Sequence, residues 1–310
     1  MRRLLAGLLA LLLPILLLSA CGPAPHRVDL TADLNAELPG APPPEPGVYY
    51  FGFDRRLEPA EDVRIYVPFL RYLERATGYR FQLKPSPRTG SVVDELGNGS
   101  VQFAAIGALS YVEAHKRFGV KALVEARTPE GNAQYRGLIV TRPDSRIRSL
   151  GDLRGSSFAF GNPTSTQGNL IPRVMLQWAG IALTDLGSFQ YHTSHVETAN
   201  AVMSGRFDAG AIQDTLGGEL ARQGLLRIVA QSDPFPSSTI SASPAVPDNV
   251  LKTVTKALLD FAPTGRDAAG LYHLEQSEMP LGFLPVDVEA LARVERLAEE
   301  VGLLKQGDRP

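Results

Sequence analysis

The sequence predicts an α/β protein of two lobes, with the chain crossing between them twice and a ligand cleft in between. Three observations carry that expectation. Strand-like and helix-like segments alternate from residue 48 onward, the alternation restarts near 136, and a proline-rich return crossing begins near 232. Strands alternating with helices imply right-handed βαβ units on mostly parallel sheets. Two unrelated α/β domains in series would have the same composition, and at this level that alternative stays open.

In order, Val48-Tyr49-Tyr50-Phe51-Gly52-Phe53 reads as the opening strand. Over 63–77, Val63, Tyr66, Val67, Leu70 and Leu73 recur near helical spacing, and Gly78 supplies the stop. Pro68 inside that pattern either kinks the helix or marks a later start. A strand at 79–83, a helical pattern over 90–98, a buried strand at 102–107 and a helix over 109–118 follow. The second lobe opens with a strand at 136–141, broken by Pro143. It continues with a short helix at 150–155, strands at 157–160, 189–191, 209–212 and 227–230, and helices over 169–179 and 196–204. Pro234, Pro236, Pro244 and Pro247 mark the return, which carries a strand at 238–242. Amphipathic helices over 249–261 and 286–301 complete the chain. The division expected is therefore 48–139 with 236–304 as lobe 1 and 140–235 as lobe 2, hinged near 140 and 232.

The N-terminus addresses the compartment. Arg2 and Arg3 precede an almost unbroken apolar run to Leu18, and Leu18-Ser19-Ala20-Cys21 follows. A charged start, a short apolar stretch and small residues at the cut form a removable signal peptide, here 1–20. The run is too short to read first as a spanning helix, which needs roughly 20 residues. Leu-Ser-Ala-Cys also looks like a bacterial lipobox, with Cys21 as the lipidated new N-terminus; an ordinary signal peptide with a chance cysteine is the alternative. Cys21 is the only cysteine, which excludes disulfides and multi-thiolate metal sites within the chain. Seven prolines between 22 and 47 make that segment an extended tether. Lys plus Arg total 31 against 33 Asp plus Glu, and no basic stripe supports nucleic-acid binding.

The most informative stretch is Phe160-Gly161-Asn162-Pro163-Thr164-Ser165-Thr166-Gln167-Gly168-Asn169-Leu170-Ile171-Pro172. A strand ends, a hydroxyl-rich loop follows and a helix begins. The first backbone N–H groups of a helix lack intrahelical partners and the macrodipole adds partial positive charge, so an anion can be held there without lysine. Gly168 permits close approach of the chain to a ligand, and Pro172 fits the first helical turn. Ser165 or Asn169 acting merely as a helix cap is the bland reading. A second strand-to-helix junction, Tyr191-His192-Thr193-Ser194-His195, places His195 within reach of the same cleft as an anion donor, with His192 read as a surface or capping residue.

These residues resemble the phosphonate, phosphite and phosphate substrate-binding proteins of ABC importers, from about Tyr49 to Leu303. The likeness runs through Tyr49-Tyr50-Phe51-Gly52-Phe53, then Ala105-Ile106-Gly107-Ala108-Leu109-Ser110-Tyr111-Val112, then Ser149-Leu150-Gly151-Asp152-Leu153-Arg154-Gly155. Ser165-Thr166-Gln167-Gly168 with Pro172, Ser194-His195 and Ala201-Val202-Met203-Ser204-Gly205-Arg206-Phe207-Asp208-Ala209-Gly210 complete it in the family's order. The resemblance implies the type II periplasmic binding protein fold. It further implies oxyanion contacts from Ser165, Thr166 and Gly168, with His195 beside them and Tyr111 closing from the opposite lobe. Gln167 stands where the family's loop has a second serine, a longer donor needing more room. Arg55 or Arg56 after the opening strand offers a bidentate partner for an anion, though a solvated surface charge is the first reading. Asp214 lies near where amino-phosphonate binders hold the ligand's ammonium, and a helix cap reads equally well.

The implied protein is an extracytoplasmic importer component. It is expected to be a monomer without cofactor, anchored to a membrane by lipid, that captures a small phosphorus oxyanion by lobe closure and presents it to an ABC permease. Presentation to a membrane sensor instead of a permease, and a small oxyanion or organic acid outside phosphorus chemistry, are the alternatives. An enzyme built from Ser165 or Ser194 with His195 and Asp208 lacks any nucleophile signature. Phosphate-loop and zinc-binding His-Glu-x-x-His motifs are also absent.

Overall fold

The computed structural model describes residues 47–54, 59–86 and 91–305. The expected signal peptide, Cys21, nearly all of the tether and the arginines Arg55 and Arg56 lie outside the described residues.

The first sheet is built from β1 (Val48–Phe53), β2 (Arg80–Leu83), β3 (Phe103–Ile106) and β4 (Lys121–Ala126), with helices α1 (Pro59–Thr77), α2 (Val92–Gly97) and α3 (Ala108–Phe118) between them. Glu61 and Asp62 occupy the first turn of α1, where carboxylates complement the helix dipole. That start precedes the one expected at 63, so Pro68 stands inside the helix. Gly119, left-handed at φ 73°, stops α3. A two-residue ribbon then crosses to the second sheet: β5 (Gln134–Tyr135) pairs antiparallel with β11 (Phe235–Pro236) on the way back.

The second sheet comprises β6 (Gly137–Thr141), β7 (Ser157–Phe160), β8 (Ser188–Tyr191), β9 (Ala209–Gln213) and β10 (Arg227–Gln231). Its helices are α4 (Ile171–Trp178), α5 (His195–Met203) and α6 (Asp214–Arg222). After β11 the chain re-enters the first sheet as β12 (Thr239–Ala242), continues through α7 (Asp248–Leu259), adds edge strand β13 (Phe283–Leu284), and ends in α8 (Val288–Glu300). The strand orders are β13-β4-β12-β3-β1-β2 and β10-β6-β9-β7-β8.

Both sheets are mixed, which corrects the expectation of mostly parallel ones. β1 runs parallel to β2 and β3, and β7 parallel to β8 and β9. In each sheet, however, the strand arriving from the other lobe inserts antiparallel: β12 between β3 and β4, β6 between β9 and β10. A chain that enters from the crossing side must run against strands that started at the far end. β6 begins ahead of the boundary expected at 140, so Gly137, Leu138 and Ile139 belong to the second sheet and the crossing itself lies at β5 and β11.

Phe51, Phe69 and Phe103, with residues of α1 and α7, form the apolar core of the first lobe. A second cluster is shared. Phe158, Phe160, Ile171 and Val174 pack in one body with Leu109 and Val112 of α3 and with Leu291, Val294 and Leu297 of α8. α8 is further tied to both sides, since Lys116 of α3 pairs with Glu295 and Glu299 while Gln177 of α4 donates to Glu300 at 2.8 Å. The last helix, expected with lobe 1, therefore touches a helix of each lobe.

Candidate functional site

Strand ends from both sheets meet where the lobes touch, and the local sequence explains the shape of each wall. After β7 the chain makes a loop that opens directly into a π-helical turn, Thr166–Leu170, continued by α4 with Pro172 in its first turn. Such turns are uncommon and frequent at functional sites. Leu170 N–H reaches Ser165 O, the wide register of this turn, and Ser165 Oγ caps it by accepting the Gly168 N–H at 2.9 Å. Gly168 is needed for a backbone contact: Gly161 N–H donates to its carbonyl at 2.8 Å, and a Cβ on either glycine would stand 2.9 Å from the other's Cα. The close approach thus belongs to the loop's own closure.

Thr166 is 3 % exposed, and its Oγ1 accepts the N–H of Leu109 in the first turn of α3 at 2.9 Å. A hydroxyl from one lobe thereby takes an orphan amide at the helix start of the other. Ser110 Oγ adds a longer contact to Thr164 O at 3.4 Å. Because the oxygens of Ser165 and Thr166 each accept from an amide, their O–H protons are left to donate. The amides of Thr166 and Gln167 open the helical turn, where backbone N–H has no intrahelical partner. His195, 9 % exposed, opens α5 behind its cap Ser194.

Ser165, Thr166, Gln167 and His195 line one small cavity of about 50 Å³, together with Asp54, Gly107 and Tyr135. At about 10–15 Å³ per water-sized group, that space holds roughly four non-hydrogen atoms, the size of a tetrahedral oxyanion head. Tyr135, Gln167 and Glu278 also border a second chamber of about 450 Å³, whose wall carries Glu130, Asp214 and Glu219. The site is thus a tight compartment with hydroxyl donors, sharing Tyr135, Gln167 and Glu278 with a wider, acid-walled one.

The sequence candidates separate on this geometry. Gln167 lies at the junction, but its amide nitrogen donates to Arg136 O at 2.9 Å and to Asp214 at 3.2 Å, so its donors face the crossing segment. Asp214 sits in the wider chamber and not in the small cavity; its carboxylate accepts from Arg136 N and Thr215 N at 2.7 and 2.9 Å. Burial raises its pKa, and those hydrogen bonds oppose the rise. Tyr111 is not brought to either compartment. It stacks on His115, packs among apolar residues, and its hydroxyl, raised in pKa by burial, meets the Ala122 backbone. Helical geometry explains this: the α3 start that reaches the cleft is the turn before Tyr111, whose N–H is already spent on Gly107 O. Asp208 is bound to Ser157 N and Oγ at 2.9 and 2.7 Å, away from His195's cavity. His192 is buried edge-on to Phe207, and burial lowers its pKa, so it is a core residue and not a surface one.

Three residues lining the small cavity, Tyr135, Asp54 and Glu278, escaped the sequence reading. Tyr135 lies in a two-residue crossing strand that shows no periodicity. Asp54 follows β1 and accepts the Gly107 N–H at 2.8 Å; a carboxylate beside hydroxyl donors is not what an anion pattern suggests.

A family model for ABC transporter, phosphonate, periplasmic substrate-binding protein matches residues 51–290. The phosphate-import protein PhnD of Mycolicibacterium smegmatis is 28% identical over 206 residues, covering 60% of this chain and 63% of that protein. The probable ABC transporter phosphite binding protein PhnD1 of Prochlorococcus marinus is 24% identical over 169 residues, with coverage of 52% and 50%. The chain thus spans less than two thirds of the length of these curated relatives. The structure of PhnD1 from Prochlorococcus marinus in complex with methylphosphonate aligns with a TM-score of 0.73 at 17% identity, covering 84% of this chain and 100% of that one. The fold is shared.

Proposed function

The chain belongs to the ABC-transporter family of phosphonate periplasmic substrate-binding proteins, and on that premise we propose that it is the extracytoplasmic, lipid-anchored capture component of an importer for a small phosphorus oxyanion. The observation that carries the reading is the convergence of Ser165, Thr166 and His195 with the start of α3 on one cavity of about 50 Å³. Hydroxyls and helix-start amides are neutral donors, which desolvate cheaply beside an anion, whereas a buried lysine would need its own counter-charge. The two lobes, 48–139 with 236–304 and 140–235 give or take the few residues of the crossing, close over the ligand by bending at β5 and β11. An organic substituent on phosphorus extends into the wider chamber, where Asp214 faces an ammonium. Cys21 holds the chain at the membrane, and the closed form is what a permease reads.

A thermal-shift screen tests this reading. Phosphate, phosphite, methylphosphonate and aminoethylphosphonate are each added in large excess, and a bound ligand raises the melting temperature by mass action. At least one of them is expected to do so. A flat response to all four counts against the oxyanion pocket.

A further inference from the structure

A separate cavity of about 310 Å³ borders the crossing ribbon and shares no residue with the two compartments of the oxyanion site. One wall is the ribbon itself, with Gln134 of β5 and Phe235 and Pro236 of β11. The other is Glu125 of β4, Leu284 of β13, and Asp287 and Arg293 at the start of and within α8. Its volume lies in the range of small-molecule sites, about 300–1,000 Å³. The polar end is unusual. Buried carboxyl groups are ordinarily paired or well hydrogen-bonded. Glu125 is 1 % exposed, and among the described residues its carboxyl has one hydrogen bond, from Asp287 N–H at 3.3 Å, longer than the ordinary 2.7–3.2 Å. Burial, with repulsion from the Asp287 carboxylate, pushes the Glu125 carboxyl up to about 7 against the pull of that bond. The remaining charged group lining the space is Arg293, which lies over the Phe235 ring at 6.0 Å. Two carboxylates facing one guanidinium leave the cavity short of one positive charge once Glu125 ionises.

We propose that this cavity is an effector site for a primary ammonium carried on a compact apolar body, and that filling it changes how readily the lobes close. An ammonium brings three donors, which suits two neighbouring carboxyl groups, while Phe235, Pro236 and Leu284 take the apolar body. A divalent cation fits the space less well. Calcium takes six to eight oxygen ligands, and among the described residues no group of three or more metal-ligating side chains occurs. The coupling comes from the walls. β4 and β13 belong to the first sheet, whereas β5 and β11 are the strands that bend, so the open and closed forms present different cavities. A ligand shifts such an equilibrium by its difference in affinity for the two forms, and the effect is reciprocal between sites. The coupling rests on the lobe closure proposed above; the site does not.

The test titrates the full chain with benzylamine by calorimetry, with benzyl alcohol as its uncharged twin. An ammonium needs the ionised form of Glu125, so the proton held at low pH competes with it. At pH 8 benzylamine is expected to bind at least about tenfold more tightly than benzyl alcohol, and more tightly than it does at pH 5.5 by at least about tenfold. Glu125→Gln is expected to lose at least about tenfold in benzylamine affinity together with the pH slope. Ala290→Leu, which fills the cavity and leaves Glu125 in place, is expected to weaken benzylamine as well. Saturating benzylamine is expected to change the affinity for the best-bound of the four oxyanions screened above by at least about threefold in the native protein and not in Glu125→Gln. Equal binding of benzylamine and benzyl alcohol overturns the site. So does benzylamine affinity unchanged in Glu125→Gln, which would place the amine in the acid-walled chamber. An oxyanion affinity that benzylamine does not move overturns the effector role. Binding of none of the four oxyanions overturns the oxyanion reading and the coupling with it, while the benzylamine titrations still decide the site.

Discussion

The two lobes are the same drawing filled with different chemistry. The order β2-β1-β3-β12-β4 in the first corresponds to β8-β7-β9-β6-β10 in the second, and parallel and antiparallel pairs match one for one. Yet the end of central strand β1 presents an acceptor, Asp54, where the end of β7 presents the donors Ser165 and Thr166. After the third strand, β3 gives Gly107 and the bare start of α3, while β9 gives Gln213 and Asp214. Topology assigns positions and leaves the chemistry to side chains. The outer edges differ too. β13 covers β4 and pairs Leu284 with Glu125, whereas β10 stays an open edge with Ile228 exposed.

The largest effect is expected at the donor wall. A Ser165→Ala, Thr166→Val double variant removes two hydroxyls facing a charged ligand, each worth about 1.5–3 kcal/mol, so affinity for the best oxyanion should fall by more than about a hundredfold in calorimetry. A smaller loss would shift the burden to the first lobe.

The covered edge gives the next. Glu125 is 1 % exposed and receives Asp287 N–H at 3.3 Å, and burial pushes its carboxyl from an ordinary 4.5 up to about 7. The folded state then holds a proton that the unfolded chain releases, so stability falls as pH rises from about 4.5 to about 7 and is level above. Glu125→Gln should leave denaturant stability nearly unchanged at pH 4 and raise it by up to about 3 kcal/mol at pH 8. Equal effects at both pH values would assign the change to packing.

Gly107→Ala should weaken ligand binding by about tenfold, because the new methyl presses on Thr166 Oγ1 at 3.1 Å and holds the lobes slightly apart; unchanged affinity would mean the wall gives way. The smallest effect is expected from Tyr111→Phe, within about twofold in affinity, since its hydroxyl meets the Ala122 backbone and not the cavity.

Element positions were largely legible because hydrophobic periodicity and glycine stops report local geometry. The opening strand and the strand over 157–160 fall where alternation puts them. β4, Lys-Ala-Leu-Val-Glu-Ala, was missed because its glutamate is buried between β12 and β13, both distant in sequence. The direction of β6 and β12 was also invisible, since it follows from the crossing and not from residue pattern. At the site, the hydroxyl loop and His195 were legible from their place at strand-to-helix junctions. Gln167, Tyr111 and Asp54 were not, because where each side chain turns depends on Arg136, on Ala122 and on Gly107, none of them near in sequence.

The position of α8 has a kinetic consequence. It lines neither compartment, yet its apolar side chains lie in one cluster with those of α3 and α4. On the lobe closure proposed above, widening the mouth would peel it from one neighbour and expose that cluster to water, so entry of a guest would be timed by how often this bystander lets go.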